Sequence, residues 1–184
     1  MSESGLFRLS RGPRVYLRAP TPRDRDEVIA MNRVSARLYR GFATPMVDPP
    51  VFSAYVARCR KPDFVGMLVC RIEDEAIVGV VNLSQIVMGG FRSAYMGYQV
   101  FAPYAAQKYM TEAMPLALRV VFRTLRLHRV EANIQPENVP SLALVRRAGF
   151  EREGYSPRYL KIGGRWRDHE RWAMTAERYR EVRS

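Results

Sequence analysis

Tyr104-Ala-Ala-Gln-Lys-Tyr-Met-Thr-Glu112 is the stretch whose reading decides the fold. It follows an alternating run, Ala94 to Phe101, and a break at Pro103. It opens an apolar-periodic segment that continues to Leu125. A strand that ends, turns and enters a helix presents unpaired backbone N–H groups and the positive end of the helix dipole. A phosphate or pyrophosphate can sit at such a junction. The same pattern also occurs in α/β proteins whose turn binds nothing.

Downstream, Met110, Met114, Ala117, Leu118, Val121, Phe122 and Leu125 recur at helical spacing and read as a core stripe. Pro115 interrupts it, removes the bond to the Thr111 carbonyl and predicts a kink. Arg129 to Ile134 is a short strand with Val130, Ala132 and Ile134 facing one way, Glu131 and Asn133 the other. Asn138-Val139-Pro140-Ser141 opens another helix that Gly149 ends. Gly154 to Ile162 and Arg165 to Thr175 form a hairpin around Gly163-Gly164, and Ala176 to Ser184 a short polar helix.

Upstream, Phe64 to Ile72 and Ala76 to Val87 are two buried strands joined by Glu73-Asp74-Glu75, and Ser93 to Phe101 is the next strand after Gly89-Gly90. Val15 to Ala19 is a first strand. Thr21, Pro22, Asp24, Asp26 and Glu27 start a helix running to about Leu38. A second helix, Pro50 to Arg60, carries Phe52, Tyr55, Val56 and Cys59 on one stripe. The order is strand, two helices, three strands, helix, strand, helix, two strands. It fits one domain over residues 14–176, with an N-terminal arm, 1–13, and a polar tail, 177–184.

A chain of 184 residues that is 47% hydrophobic buries a real core. It lacks the apolar run of about 20 residues that spans a bilayer and the apolar centre of a signal peptide. Cys59 and Cys70 have no ligand-type spacing and read as buried free thiols in a reducing cytoplasm. The net charge of +12, mostly arginine, suggests an anionic partner such as a phosphorylated cofactor or RNA; a solubility role is an equal alternative.

His128-Arg129-Val130-Glu131-Ala132-Asn133 leads into Pro136-Glu137-Asn138-Val139-Pro140-Ser141. Gly149-Phe150-Glu151-Arg152-Glu153-Gly154-Tyr155, Tyr159-Leu160 and Gly164-Arg165-Trp166-Arg167-Asp168-His169 follow. In order and spacing these runs resemble the ribosomal-protein-alanine N-acetyltransferase group of the GNAT superfamily. The resemblance implies an α/β (α+β) fold: a mixed, mostly antiparallel seven-stranded sheet, splayed between its fourth and fifth strands and flanked by about four helices. It implies acetyl-CoA in the gap, no metal, and direct transfer to an amine, either a protein N-terminus or a small amine. It implies cofactor contacts from the fourth strand at Gln99, Val100, Phe101 and Ala102 and from the turn at Gln107, Lys108, Tyr109, Met110 and Thr111. Asn138 would hold the pantetheine, and Ser141 would lie near the sulfur and donate its proton.

The chain departs from the superfamily's Gln/Arg-x-x-Gly-x-Gly/Ala turn, having Ala105, Lys108 and Met110 there, with Ala106 in place of a further glycine. Lys108 has three outcomes: its stem runs to the surface, its ammonium contacts a phosphate, or cofactor binding weakens. Arg158 stands where some relatives have a glutamate base, and a guanidinium accepts no proton. Glu131 is the side-chain candidate for the base, and a chain of waters is an equal alternative. Asp168 and Glu170 alternate with Trp166, Trp172 and Met174 and are candidates for acceptor binding; salt bridging to arginines is the alternative. His169 has a suitable pKa, but the alternation places it on the solvated face. The competing function is a silent GNAT-fold module that binds RNA or protein through its basic surface. Association with the ribosome, and a monomer or homodimer, fit either reading.

Overall fold

The computed structural model describes residues 8–183. Its elements are β1 (Arg8–Arg11), β2 (Val15–Arg18), α1 (Arg25–Ser35), α2 (Pro49–Arg58), β3 (Phe64–Arg71), β4 (Ile77–Val87), β5 (Ser93–Val100), α3 (Tyr109–Arg119), β6 (Arg129–Ile134), α4 (Val139–Arg147), β7 (Glu151–Ile162), β8 (Arg165–Thr175) and α5 (Ala176–Glu181). One sheet has the order β1-β2-β3-β4-β5-β6-β8-β7. Every pairing is antiparallel except β5 with β6.

The sheet has eight strands where seven were expected. The additional one is β1, which pairs with β2 at the edge. Its sequence, Arg-Leu-Ser-Arg, has too little apolar character to read as a strand, and it falls in the expected arm, whose residues 1–7 lie outside the described ones.

Both faces of the sheet are covered, and strand alternation sorts the core between them. Val15, Leu17, Met67, Val69, Val81 and Leu83 pack beneath α3. Tyr16, Leu68, Cys70 and Val80 pack beneath α1 and α2 with Val28 and Phe52. This explains why β3 and β4 read as nearly continuous apolar runs.

Helix α1 is anchored at its start. Asp24 accepts from both terminal nitrogens of Arg18 (2.8 and 2.6 Å) and from the Thr21 amide (2.6 Å) and hydroxyl (3.0 Å). Burial pushes the Asp24 carboxyl up, but these donors outweigh it and hold it below the usual range. Helix α3 runs through Pro115, and the irregularity comes later, as a π turn over Val120–Thr124. Helix α5 is not wholly polar: Tyr179 is buried and stacks on Phe122 at 4.7 Å.

Candidate active site

Strands β5 and β6 pair for only three residues, Ser93 with Arg129, Ala94 with Val130 and Tyr95 with Glu131. Beyond Tyr95 they part. β5 stays on β4 as far as Val100, and β6 stays on β8 as far as Ile134. The sheet is therefore splayed between them, as expected.

Antiparallel pairing turns alternate residues' N–H and C=O groups toward one neighbour. The Phe101 amide bonds the Val78 carbonyl at 2.9 Å, so Gln99, in step with it, also turns to β4. Val100, Tyr98 and Met96 turn to the gap. Val100 is already engaged: Tyr39 Oη donates to its carbonyl at 2.7 Å and accepts from its amide at 2.9 Å. The Ala102 amide donates to Ser35 Oγ at 2.8 Å. The expected main-chain contacts at Gln99, Val100, Phe101 and Ala102 are thus committed within the protein. The gap-facing backbone that remains is that of Tyr98 and Met96.

At the corner, Ala106 and Lys108 both adopt left-handed backbone, with φ of 61° and 65°. A side chain costs about 1–2 kcal/mol in that conformation, so the lysine occupies the glycine-like geometry of the turn without the glycine. The first internal donor of α3 is the Glu112 amide, which bonds the Lys108 carbonyl at 3.1 Å. The amides of Tyr109, Met110 and Thr111 are the helix's opening donors. Glu112 pins this end to β2, accepting from the amides of Arg14 (2.6 Å) and Val15 (3.1 Å) and from Arg14 Nε (3.0 Å). Gln107 turns back, its Nε2 donating to the Pro103 carbonyl at 2.9 Å. A cavity of about 360 Å³ opens here, with Lys108, Thr111, Asn138 and Arg147 on its wall.

A second cavity, of about 600 Å³, lies on the other side of Tyr98. Asn32, Tyr55, Arg58, Asn82, Gln135 and His169 are among its walls. Tyr98, Gln99, Asn138 and Ser141 line both cavities. Ser141 Oγ donates to Tyr98 Oη at 2.9 Å, and Tyr98 Oη lies 3.3 Å from the Ser141 carbonyl. Asn138 Oδ1 accepts from the Ser141 amide at 3.3 Å, capping α4. Burial pushes the Tyr98 phenol up to about 12.

The structure puts Asn138 and Ser141, both expected site residues, at the junction of the two cavities beside Tyr98, which the sequence reading missed. Its signal was a hydroxyl on the face that Ala94 and Met96 bury, where a phenol needs a partner.

The carboxylates expected as base and acceptor contacts are elsewhere. Glu131 lines neither cavity; Arg129, on the same face of β6, donates to it at 2.8 Å. Asp168 accepts from Tyr155 Oη and, at 2.7 Å, from the Arg158 amide, holding the β7–β8 hairpin together. Glu170 accepts from Trp172 Nε1 at 3.0 Å and pairs with Arg152 at 3.2 Å. The salt-bridge alternative therefore describes Glu170. His169 corrects the opposite way: it is 2% exposed and lines the larger cavity. Burial pushes its imidazole below the usual value.

Among the described residues no group of three or more His, Cys, Asp or Glu is placed to hold a metal ion. No described helix is long and apolar enough to cross a membrane.

A sheet parted between two parallel neighbours, with a chamber on either side of one hydroxyl pair, defines an α/β protein whose candidate site lies at its splay. The chain belongs to the acetyltransferase (GNAT) domain family, which it matches over residues 14–151. It is 42% identical over 103 residues to the [ribosomal protein uS5]-alanine N-acetyltransferase of Escherichia coli K12, a match covering 56% of this chain and 53% of that protein. The chain thus spans about half the length of that curated relative. Mycobacterium smegmatis RimJ in complex with CoA-disulfide has a TM-score of 0.81 and 26% identity, over 91% of this chain and 88% of that one. Vibrio cholerae spermidine N-acetyltransferase with CoA and spermine shares the fold, with a TM-score of 0.79 and 20% identity over 90% and 98% of the two chains.

Proposed function

We propose that the protein transfers the acetyl group of acetyl-CoA directly to the α-amine of a protein N-terminus, a ribosomal protein being the acceptor for which its Escherichia coli relative is named. The observation that carries the reading is the pair of chambers meeting at Ser141 and Tyr98.

The smaller chamber fits the cofactor. Tyr109, Met110 and Thr111 offer opening amides, Lys108 and Arg147 add positive charge, and among the described residues no acidic one lines the wall. The gap-facing main chain of Tyr98 and Met96 suits an amide-containing arm. When bound, acetyl-CoA supplies an activated carbonyl at the junction. Ser141 Oγ and Tyr98 Oη form a hydroxyl pair there that supplies a proton to the leaving sulfur. The raised pKa of Tyr98 keeps that proton in place at neutral pH. Neither cysteine lines a chamber, and burial pushes the Cys70 thiol up to about 11, so transfer runs without an acyl-cysteine.

The larger chamber fits a peptide end. Its lining includes Asn32, Asn82, Gln99 and Gln135, has no Asp or Glu among the described residues, and carries the cation Arg58. A polyamine would meet like charge there, whereas peptide amides find hydrogen-bond partners. An α-amine, with a pKa of about 7.7–8.0, is also far more often neutral near pH 7.5 than an alkylamine at about 10.4. The test gives the enzyme acetyl-CoA with an alanine-initiated peptide, the same peptide N-terminally blocked, or spermidine, and reads the products by mass spectrometry. Acetylation of the free α-amine alone is expected; preferential acetylation of spermidine would replace the reading. Absence of calorimetric heat at millimolar acetyl-CoA would favour the silent module.

A second reading concerns location. Arg119, Arg123 and Arg183 line an open concavity of about 530 Å³ on an exterior of high net charge, which suits docking on ribosomal RNA in the cytoplasm. Co-sedimentation with ribosomes that fades steeply as salt rises is the expected result.

A further inference from the structure

We propose that His169 is the catalytic base, its Nε2 taking the proton that the acceptor nitrogen loses. The inference rests on the acetyltransferase reading and supplies the base that Glu131, tied to Arg129 and outside both chambers, cannot be.

The ring's orientation fixes the chemistry. His169 Nδ1 lies 3.0 Å from the Arg167 carbonyl oxygen, which only accepts. In the neutral imidazole Nδ1 therefore carries the hydrogen, and Nε2 holds the free lone pair. Nε2 has no hydrogen-bond partner among the described residues. It is also absent from the sealed, partnerless polar atoms, which are Ser10 Oγ, Asn133 Oδ1 and Arg167 Nε. On a side chain this buried, the open space it meets is the acceptor chamber. Tyr159 of β7 packs beside the ring at 5.7 Å between centroids and steadies it. Ser141 lines the same chamber, so acceptor, base and hydroxyl pair share one space.

The charged groups around the ring keep it neutral but basic. Burial lowers its pKa, while the Arg167 carbonyl and the fields of Asp168, on its own strand, and Glu137, before α4, raise it; the net direction is down. Arg58 of α2 lines the same chamber. Such a ring is unprotonated at neutral pH. It is matched more closely to an α-ammonium of about 8 than to an alkylammonium of about 10.4.

The step balances. The acceptor nitrogen's lone pair forms the nitrogen–carbon bond as the donor's carbon–sulfur bond breaks. The nitrogen's proton ends on His169 Nε2, and the leaving sulfur's proton comes from the Ser141–Tyr98 pair. The imidazolium gives its proton to solvent and the hydroxyl pair regains one from solvent, so amine and thioester leave as amide and thiol.

The test is His169→Gln, which keeps a side-chain donor for the Arg167 carbonyl. At saturating alanine-initiated peptide, where the free peptide's own amine no longer sets the profile, kcat for the native enzyme falls on the acid side with an apparent pKa below 6.5. The variant is expected to lose roughly 10²–10³-fold in turnover and to lose that acid limb, with acetyl-CoA affinity unchanged. A second readout needs no variant and no turnover. The chain has two histidines, so imidazole nitrogen NMR resolves His169 and should show hydrogen on Nδ1 and none on Nε2 at pH 7.5. Native turnover with a variant within threefold and an intact acid limb, or hydrogen on Nε2, overturns the proposal and leaves the function reading standing. Absence of native turnover with any amine overturns both.

Discussion

The two chambers share a wall at Tyr98, Gln99, Asn138 and Ser141, yet they are assembled in opposite ways. The cofactor chamber comes largely from two short stretches of sequence: the end of β5 with the turn at Ala106 and Lys108 and the start of α3, and helix α4 with its cap. The acceptor chamber gathers Asn32, Thr44, Tyr55, Phe64, Asn82, Gln135 and His169 from α1, the loop after it, α2, three strands and the end of β6. One chamber depends on a local backbone shape and the other on long-range packing. The first should fail through main-chain strain, and the second should yield through side-chain movement.

Gly79 tests the rigid side and carries the largest expected effect. A Cβ there would lie 2.5 Å from the Gln99 carbonyl oxygen, 3.2 Å from Val100 Cα and 3.1 Å from Met110 Cε. Two of the three are main chain at the wall of the gap and cannot swing away. Gly79→Val is expected to cost about 3 kcal/mol, read as a lower urea midpoint at unchanged slope, and to weaken acetyl-CoA binding. Gly97→Ala is the control: nothing lies within 4 Å of its Cβ, and stability should stay within about 0.5 kcal/mol.

Gly66 tests the yielding side. A Cβ there would lie 2.5 Å from Tyr55 Oη and 2.6 Å from Cys59 Sγ, both side-chain ends. Gly66→Ala should cost about 1–2 kcal/mol and break the 2.9 Å bond from Tyr55 to Asn82. Displacing Tyr55 reshapes only the acceptor chamber. The peptide's KM should change while acetyl-CoA affinity, by calorimetry, does not; a matching loss of cofactor affinity would show that the chambers are not independent.

Asn138 stands on the shared wall and should act on both. Asn138→Ala removes a helix cap worth about 1 kcal/mol and a polar group that lines each chamber. Both Michaelis constants should rise together, and a change confined to one would remove Asn138 from the shared wall.

The same contrast explains what could be read in the sequence. Strand β6 and helix α4 were legible to within a residue, because alternation in one and the Asn138 cap with Pro140 in the other are local signals. The splay and the roles of Asn138 and Ser141 were implied by a family resemblance that runs of adjacent residues carry. Tyr39 holding Val100 was not legible, because the two are 61 positions apart. His169 was misplaced for a subtler reason. Alternation correctly put it opposite Trp172 and Met174, but the step from "opposite the core" to "solvated" assumes a sheet with one wet face. This sheet is covered on both, as Val15 and Tyr16 show by packing into different cores. Parity assigns a face, and only the tertiary fold determines what covers it.

Lys108→Gly carries the smallest effect and sharpens the contrast most. A residue at φ of 65° is relieved by glycine of about 1–2 kcal/mol of strain, and glycine's greater freedom in the unfolded chain returns about 0.5–1 kcal/mol of that. Net stabilisation should be about 0.5 kcal/mol. The side chain is exposed at the cofactor chamber's wall, so its ammonium acts on a phosphate across water-accessible space, where salt screens it. If Lys108 contacts the cofactor, the glycine variant binds acetyl-CoA a few-fold more weakly in low salt and equally at 1 M salt. If its stem merely runs to the surface, the two proteins bind alike at every salt concentration and only the stability gain remains. Tighter binding in the variant at all salts would mean that the lysine obstructs the helix amides, and that the chain departs from its family's glycine at a cost in affinity.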